Sequence, residues 1–87
     1  MRHSATSRFW ASYEALPTEV RALADKNFEL LRLNRQHPSL QFKQVGKFWS
    51  ARAGIHHRAL ALEVDDGFLW VWVGSHADYD KLIRSPA

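Results

Sequence analysis

Three β-strands in immediate succession are predicted between residues 48 and 75, and this run constrains the fold more than any other part of the chain. Residues 48–53 and 57–64 each alternate between two faces with a period of two, which is typical of a strand. Asp65-Asp66-Gly67 joins the second strand to the third, since an Asp-Gly pair tolerates the positive φ angles of a tight hairpin. Residues 68–73 are all apolar, which is typical of a strand covered on both faces. The sequence therefore predicts an antiparallel meander.

The third strand ends at Gly74-Ser75-His76, and a short closing helix is predicted over residues 76–84, with Tyr79 within it. Trp70 and Trp72 are two residues apart in the strand, so they are predicted to lie on one face and to belong to the core. The strand is thus predicted to be a rigid support with polar groups at its exit.

Two helices are predicted before the meander, because apolar residues recur at helical spacing on either side of Pro17. The first ends at Leu16 and the second runs to about residue 34, while residues 1–7 fit either a frayed end or a short edge strand. Residues 41–45 are predicted to form the first strand of the main sheet. The predicted fold class is α+β, with an N-terminal helical hairpin packed on one face of an antiparallel β-sheet and a short C-terminal helix.

The composition limits the classes of protein to which the chain can belong. Its 87 residues suffice for one modest core, so a single domain over residues 1–87 is expected. The absence of cysteine excludes disulfides and thiolate metal sites. No apolar run is long enough to span a bilayer, and the first residues do not resemble a signal peptide. A cytoplasmic protein that does not contact the membrane is expected.

The charged residues are distributed unevenly along the chain, whose formal net charge is +3. No Asp or Glu occurs between Leu30 and Leu62. The cations within this stretch are Arg32, Arg35, Lys43, Lys47, Arg52 and Arg58. Such a segment fits a surface that binds a polyanion, either nucleic acid or an acidic protein, although a solvated basic face without a ligand has the same pattern.

Four segments also carry a family resemblance: LPTEVRALADKNFELL at 16–31, HPSLQFKQV at 37–45, FWSARAGIHHRALAL at 48–62 and GSHADYDKL at 74–82. In this order they resemble toxins of the RelE/ParE superfamily from bacterial type II toxin–antitoxin systems. The resemblance implies a cognate antitoxin as partner, and no cofactor or metal. The RelE and YoeB branch implies a ribosome-dependent endoribonuclease that cuts messenger RNA, and this branch matches best. The ParE branch implies a non-enzymatic inhibitor of DNA gyrase.

The resemblance also implies roles for individual residues. Cleavage by the RNA's own 2′-hydroxyl requires that this group lose a proton, that the phosphorane charge be neutralised, and that the leaving 5′ oxygen gain a proton. Arginine suits the second task and histidine suits either proton transfer. The candidate catalytic residues are Arg52, Arg58 and His76, and the candidate substrate-binding residues are Lys43, Lys47 and Tyr79.

One departure from the family pattern leaves alternatives open. YoeB-like enzymes have a glutamate base before the FWS strand, whereas residues 38–43 here contain no carboxylate. A gyrase inhibitor, or an inactive member that only binds its antitoxin, therefore remains an alternative. Arg58 could instead pair with Glu63 or Asp78, His76 could simply begin the last helix, and Tyr79 could be a packing residue.

Overall fold

The computed structural model describes residues 2–84, which form five strands and three helices. In chain order these are β1 (Arg2–Ala5), α1 (Ser7–Glu14), α2 (Thr18–Leu33), a single 3-10 turn (Pro38–Leu40), β2 (Lys43–Val45), β3 (Phe48–Gly54), β4 (His57–Val64), β5 (Gly67–Ser75) and α3 (His76–Arg84). Among these residues, no helix combines the length and the apolar character that crossing a membrane requires.

The five strands form one sheet in the order β1-β5-β4-β3-β2. The predicted meander is confirmed, since β2 to β5 pair antiparallel with their sequence neighbours. However, β1 pairs parallel with β5, so the sheet is mixed and the prediction of a purely antiparallel sheet is wrong. The chain crosses from β1 over one face of the sheet before it returns, and this long connection permits parallel pairing. Gly67 is required there, because a Cβ atom would lie 1.8 Å from the carbonyl oxygen of Arg2.

Both N-terminal helices pack on the same face of the sheet, as predicted, but they do not form a tightly packed hairpin. Helix α1 lies on β5 and α2 lies on β3. Polar side chains bridge the two helices through the hydrogen bond from the Tyr13 hydroxyl to Asp25 at 2.7 Å and the ion pair of Arg21 with Glu14 at 3.4 Å. Thr6 caps α1 by accepting a hydrogen bond from the amide of Phe9. The helical hairpin is therefore corrected to two helices with separate positions on the sheet.

A one-residue bulge in β5 separates the two tryptophans that were predicted to share a face. Trp72 pairs with Leu60 and Trp70 pairs with Ala61, which leaves Val71 as the extra residue. Because neighbouring residues of β4 point to opposite faces, the two indoles also lie on opposite faces. Trp70 is in the core below the helices, whereas Trp72 is half-buried on the other side.

The two faces of the sheet therefore carry different residues. The face below α1 and α2, called the helix face here, contains the main hydrophobic cluster, whose buried members are Leu31, Leu40, Ala51, Ala61, Phe68 and Trp70. The opposite face, called the cationic face, is assigned from the strand register and carries Lys43, Ser50, Arg52, Arg58, Leu60 and Trp72. Helix α3 covers part of the cationic face through Tyr79.

Candidate functional site

Arg58 is the centre of the cationic face, and its side chain is held by several groups at once. Nε donates to Oγ of Ser50 at 2.7 Å. Nη2 donates to the carbonyl oxygen of Gln41 at 3.0 Å, and Nη1 lies 3.4 Å from Oε1 of the same residue. The ring of Tyr79 covers the guanidinium, with its centroid 5.3 Å from Cζ. As a result Arg58 is only 4% exposed.

The hydrogen-bond partners of Arg58 come from two parts of the chain that the fold brings together. Ser50 is fully buried in β3, where it pairs with Leu60 on one side and with Lys43 on the other. Gln41 follows the 3-10 turn and adopts a left-handed conformation with φ of 45°. This conformation costs a non-glycine residue on the order of 1 kcal/mol. The strained turn directs the Gln41 carbonyl towards Arg58.

The guanidinium of Arg58 has no acidic partner within residues 2–84 at ion-pair distance. Burial lowers the pKa of Arg58 below its ordinary value, and the nearby positive charge of Arg52 also lowers it, while Tyr79 opposes both effects. Arginine nevertheless stays protonated at any physiological pH. A buried cation without a carboxylate is uncommon in proteins, and it makes this face attractive to an anion.

Two further cations share the cationic face with Arg58. Arg52 is half-buried and pairs directly with Arg58 across β3 and β4. Lys43 is exposed on the edge strand β2 and pairs with Ser50, which lies two residues from Arg52. The strand register therefore places three positive side chains on one side of three adjacent strands. Lys47 is different, because it lies in the turn between β2 and β3 and its Nζ contacts the Phe48 ring at 5.4 Å. It is at the opposite end of β3 from Arg52.

His76 and Tyr79 border the cluster on the side of α3. His76 begins the helix, and its amide donates to the carbonyl oxygen of His56 at 2.7 Å. Its ring centroid lies 5.5 Å from that of Tyr79, and Nδ1 lies 3.3 Å from Oδ2 of Asp80. The His76 side chain is 53% exposed. Contacts thus run from Arg58 through Tyr79 to His76. The structure brings together four of the six predicted site residues, namely Arg52, Arg58, His76 and Tyr79. Lys43 lies on the same face of the sheet.

The structure also bears on the alternative roles of these residues. Glu63 accepts a hydrogen bond from Trp49 Nε1 at 3.2 Å on the helix face, so it is not a partner of Arg58. The amide of Asp78 donates to Ser75 Oγ at 3.1 Å, which caps the start of α3. Tyr79 is only 4% exposed, so it is a packing residue of α3, and the group on which it packs is the guanidinium of Arg58. No group of three potential metal ligands is found in the part of the chain that the structure describes.

Three residues of this site were not identified from the sequence. Gln41 and Ser50 bind Arg58, and Asp80 contacts His76. The position of Ser50 in the alternating FWSAR segment could have indicated a polar residue facing the same side as Arg52. The left-handed turn at Gln41 has no sequence signal, since glycine or asparagine is the usual residue there. Asp80 is four residues after His76 in a predicted helix, which is a signal for contact.

A second region of interest lies on the other side of the sheet. A cavity of about 290 Å3 lies between the two helices α1 and α2 and the helix face of the sheet. Its floor includes Ala51, Ala53 and Ala59, and its walls include Phe9 and Phe28. The small floor residues leave space that neither helix fills. Few charged groups line this cavity, so it differs from the cationic face in chemistry as well as in position.

Solved structures share this arrangement of helices and strands. A chain of the RelB–RelE antitoxin–toxin complex from Methanococcus jannaschii matches with a TM-score of 0.71 and 11% identity, over 91% of this chain and 96% of that chain. The YoeB/ParE toxin from Agrobacterium tumefaciens matches with a TM-score of 0.68 and 14% identity, over 87% and 99%. The isolated RelE toxin of E. coli matches with a TM-score of 0.61 and 11% identity, over 94% and 95%.

These similarities confirm that the chain has the fold of the RelE/ParE toxins. No protein-family model matches the sequence. No curated protein matches it either.

Proposed function

We propose that this protein is the toxin of a type II toxin–antitoxin system and that its cationic face binds the phosphates of messenger RNA. The observation that carries the proposal is the buried Arg58, which has no acidic partner at ion-pair distance within residues 2–84 and has Arg52 beside it. A site with this excess of positive charge gains most from an anion that enters from outside. The toxin fold supports the proposal independently.

The cleavage reaction assigns a task to each exposed group of the site. The 2′-hydroxyl of the message loses its proton to solvent water and attacks the adjacent phosphate, which yields a 2′,3′-cyclic phosphate and releases the 5′ oxygen of the next nucleotide. Arg52 and Lys43 stabilise the charge on the phosphorane. His76 donates a proton to the departing oxygen through Nε2, because Nδ1 is occupied by Asp80. The buried Tyr79 contacts the His76 ring and helps to hold it in place.

The antitoxin is the expected protein partner. One of the structures with this fold is an antitoxin–toxin complex. An antitoxin segment that places carboxylates against Arg52 and Lys43 would supply countercharge to the cationic face, and it would exclude RNA from the same surface.

A second candidate function has one observation in its favour. The segment at residues 37–47 contains no carboxylate that could act as the general base, which favours a toxin that only binds its target. In that case DNA gyrase is the target, as the ParE resemblance implies, and the cationic face binds without cutting.

The experiment is to express the protein without an antitoxin, to map message ends within codons on translating ribosomes, and to assay gyrase supercoiling in parallel. We expect cleavage by the wild type and a loss of at least tenfold for Arg52→Ala, because one charged phosphate contact is removed. Lys47→Ala is the matched control and should cleave as the wild type does. Uncut messages together with inhibited gyrase would replace the nuclease with the binding toxin.

A further inference from the structure

We infer that Arg58 is a positioning residue, and that Arg52 and Lys43 are the cations that contact the phosphate. This inference rests on the proposed function and assigns the roles within its site. Exposure separates the three side chains, since Arg58 is 4% exposed, Arg52 is half-buried and Lys43 is exposed. A phosphate that approaches this face would meet Lys43 and Arg52 first.

Three hydrogen bonds involve all three side-chain nitrogens of Arg58. A guanidinium binds a phosphate through one of two forked edges, each made of two N–H groups. The edge formed by Nη1 and Nη2 faces Gln41. The other edge contains Nε, which donates to Ser50 at 2.7 Å. Tyr79 packs against the group as well, with its ring centroid 5.3 Å from Cζ. Neither edge is open for a bidentate phosphate contact while these partners stay in place.

The same contacts show what Arg58 does instead. It joins β4 to Ser50 in β3, to the strained turn at Gln41 and to Tyr79 in α3. Tyr79 in turn contacts the ring of His76. Arg58 therefore fixes the position of the helix that carries the proton donor. A direct role would have required an exposed fork.

The first test uses the wild-type protein, so it does not depend on the folding of a variant. An all-DNA trinucleotide, which lacks the 2′-hydroxyl and cannot be cut, is titrated while the side-chain Nε–H resonances of the arginines are recorded by NMR. We expect the Arg52 resonance to shift and the Arg58 resonance to stay in place and to remain protected from solvent exchange. A shift of Arg58 as large as that of Arg52, or a loss of its protection, would overturn the inference.

The second test measures the salt dependence of trinucleotide binding. Each direct contact to a single-stranded phosphate contributes about 0.7 to the slope of log K against log salt concentration. Arg52→Ala and Lys43→Ala should each reduce the slope by about this amount. Arg58→Gln, which keeps a polar group near Ser50, should weaken binding with the slope unchanged. A slope reduced as much as in Arg52→Ala would assign Arg58 a direct contact and reject its positioning role.

The positioning role also predicts how the cleavage rate responds to a change of residue. Lysine retains the charge of Arg58 but cannot bind Ser50 and Gln41 together, because it lacks the planar fork. Arg58→Lys should therefore lower kcat about tenfold or more with little change in KM, since His76 is displaced relative to the bound phosphate. Full activity of Arg58→Lys would contradict the inference. If the trinucleotide does not shift the Arg52 resonance and Lys43→Ala leaves the salt slope unchanged, phosphate binding itself is rejected, which is a result distinct from a misassigned Arg58.

Discussion

The two faces of the sheet are held together by different kinds of interaction. On the helix face the buried side chains are almost all apolar, and Phe68 and Trp70 pack against helices. On the cationic face the buried side chains include Ser50 and Arg58, which are held by hydrogen bonds. Burial of apolar area stabilises a fold without regard to direction, whereas hydrogen bonds to a buried cation fix one geometry.

This difference indicates that the folding free energy and the fixed geometry of the site have different sources in the molecule. A buried charged network contributes little net stability, because the desolvation cost offsets most of the attraction. The helix face must therefore provide most of the folding free energy of this small domain. The cationic face keeps a cation and a strained turn that an apolar strand surface would not need, and the proposed binding of an anion accounts for both.

The largest expected effect comes from the tryptophan on the helix face. Trp70→Ala should lower the free energy of unfolding by about 3–5 kcal/mol, because a buried indole is replaced by a cavity. Trp72→Ala is the matched control on the other face and should cost on the order of 1–2 kcal/mol, since its side chain is only half-buried. Urea unfolding followed by circular dichroism measures both. Equal losses would mean that the bulge at Val71 does not separate the two indoles.

The next effect tests the polar side of the comparison. Ser50→Ala leaves the Nε–H group of Arg58 buried without its acceptor, so the free energy of unfolding should fall by about 1.5–3 kcal/mol. Ser4→Ala removes the same hydroxyl from an exposed position in β1 and should change it by less than about 0.5 kcal/mol. Thermal unfolding of the two variants beside the wild type is sufficient. Similar stabilities for both would mean that the cationic face is not held by this bond.

The sequence predicted the strands, the helices and their common face from residue periodicity, and the structure confirms them. It did not predict the separation of Trp70 from Trp72, because a bulge shifts the period by one residue without a glycine or proline to mark it. It left the first residues undecided between a frayed end and an edge strand. Parallel pairing of β1 with β5 depends on the path of the chain over the sheet, and local propensity does not contain that information.

For the candidate site, the sequence predicted which residues lie together better than it predicted how exposed their side chains are. Arg52, Arg58 and Tyr79 were expected to be near one another, and they are. The burial of Arg58 was not predicted, because it depends on Gln41, which is 17 residues away in the chain. Lys47 was grouped with Lys43 by its place in the basic segment, but the hairpin turn carries it to the far end of β3.

The third prediction concerns a titratable group on the helix face. Nδ1 of His3 accepts a hydrogen bond from Trp70 Nε1 at 3.1 Å, and the ring stacks on Phe68 and Trp70. Burial lowers the pKa of His3 from 6.5, and the charge of Arg32 lowers it further. A lowered pKa means that the unfolded chain binds the proton more readily. The contribution of His3 to stability is therefore complete above pH 6.5 and is lost as the pH falls from 6.5 through the folded-state pKa.

The contribution of His3 can be measured as the difference in stability between the wild type and His3→Gln. The stability gap between the wild type and His3→Gln should be larger at pH 7.5 than at pH 5, as measured by urea unfolding at both pH values. His56→Gln, at an exposed position on the other side of the molecule, corrects for the general loss of a histidine. A gap that is independent of pH would show that His3 is not held in its neutral form by Trp70.

The smallest effect separates backbone strain from side-chain contact on the cationic face. Gln41→Gly removes the left-handed strain and only one long contact to Arg58, so stability should stay level or rise by up to about 1 kcal/mol. Gln41→Ala keeps the strain and loses the same contact, so it should be less stable than Gln41→Gly by roughly 1 kcal/mol. Gln44→Gly, in the extended strand β2, should instead destabilise by about 0.5–1 kcal/mol. A change in stability of opposite sign for Gln41→Gly and Gln44→Gly would arise from the difference in backbone conformation alone. If both glycine variants destabilise equally, then the Gln41 turn is not strained, and the polar network around Arg58 is held without cost.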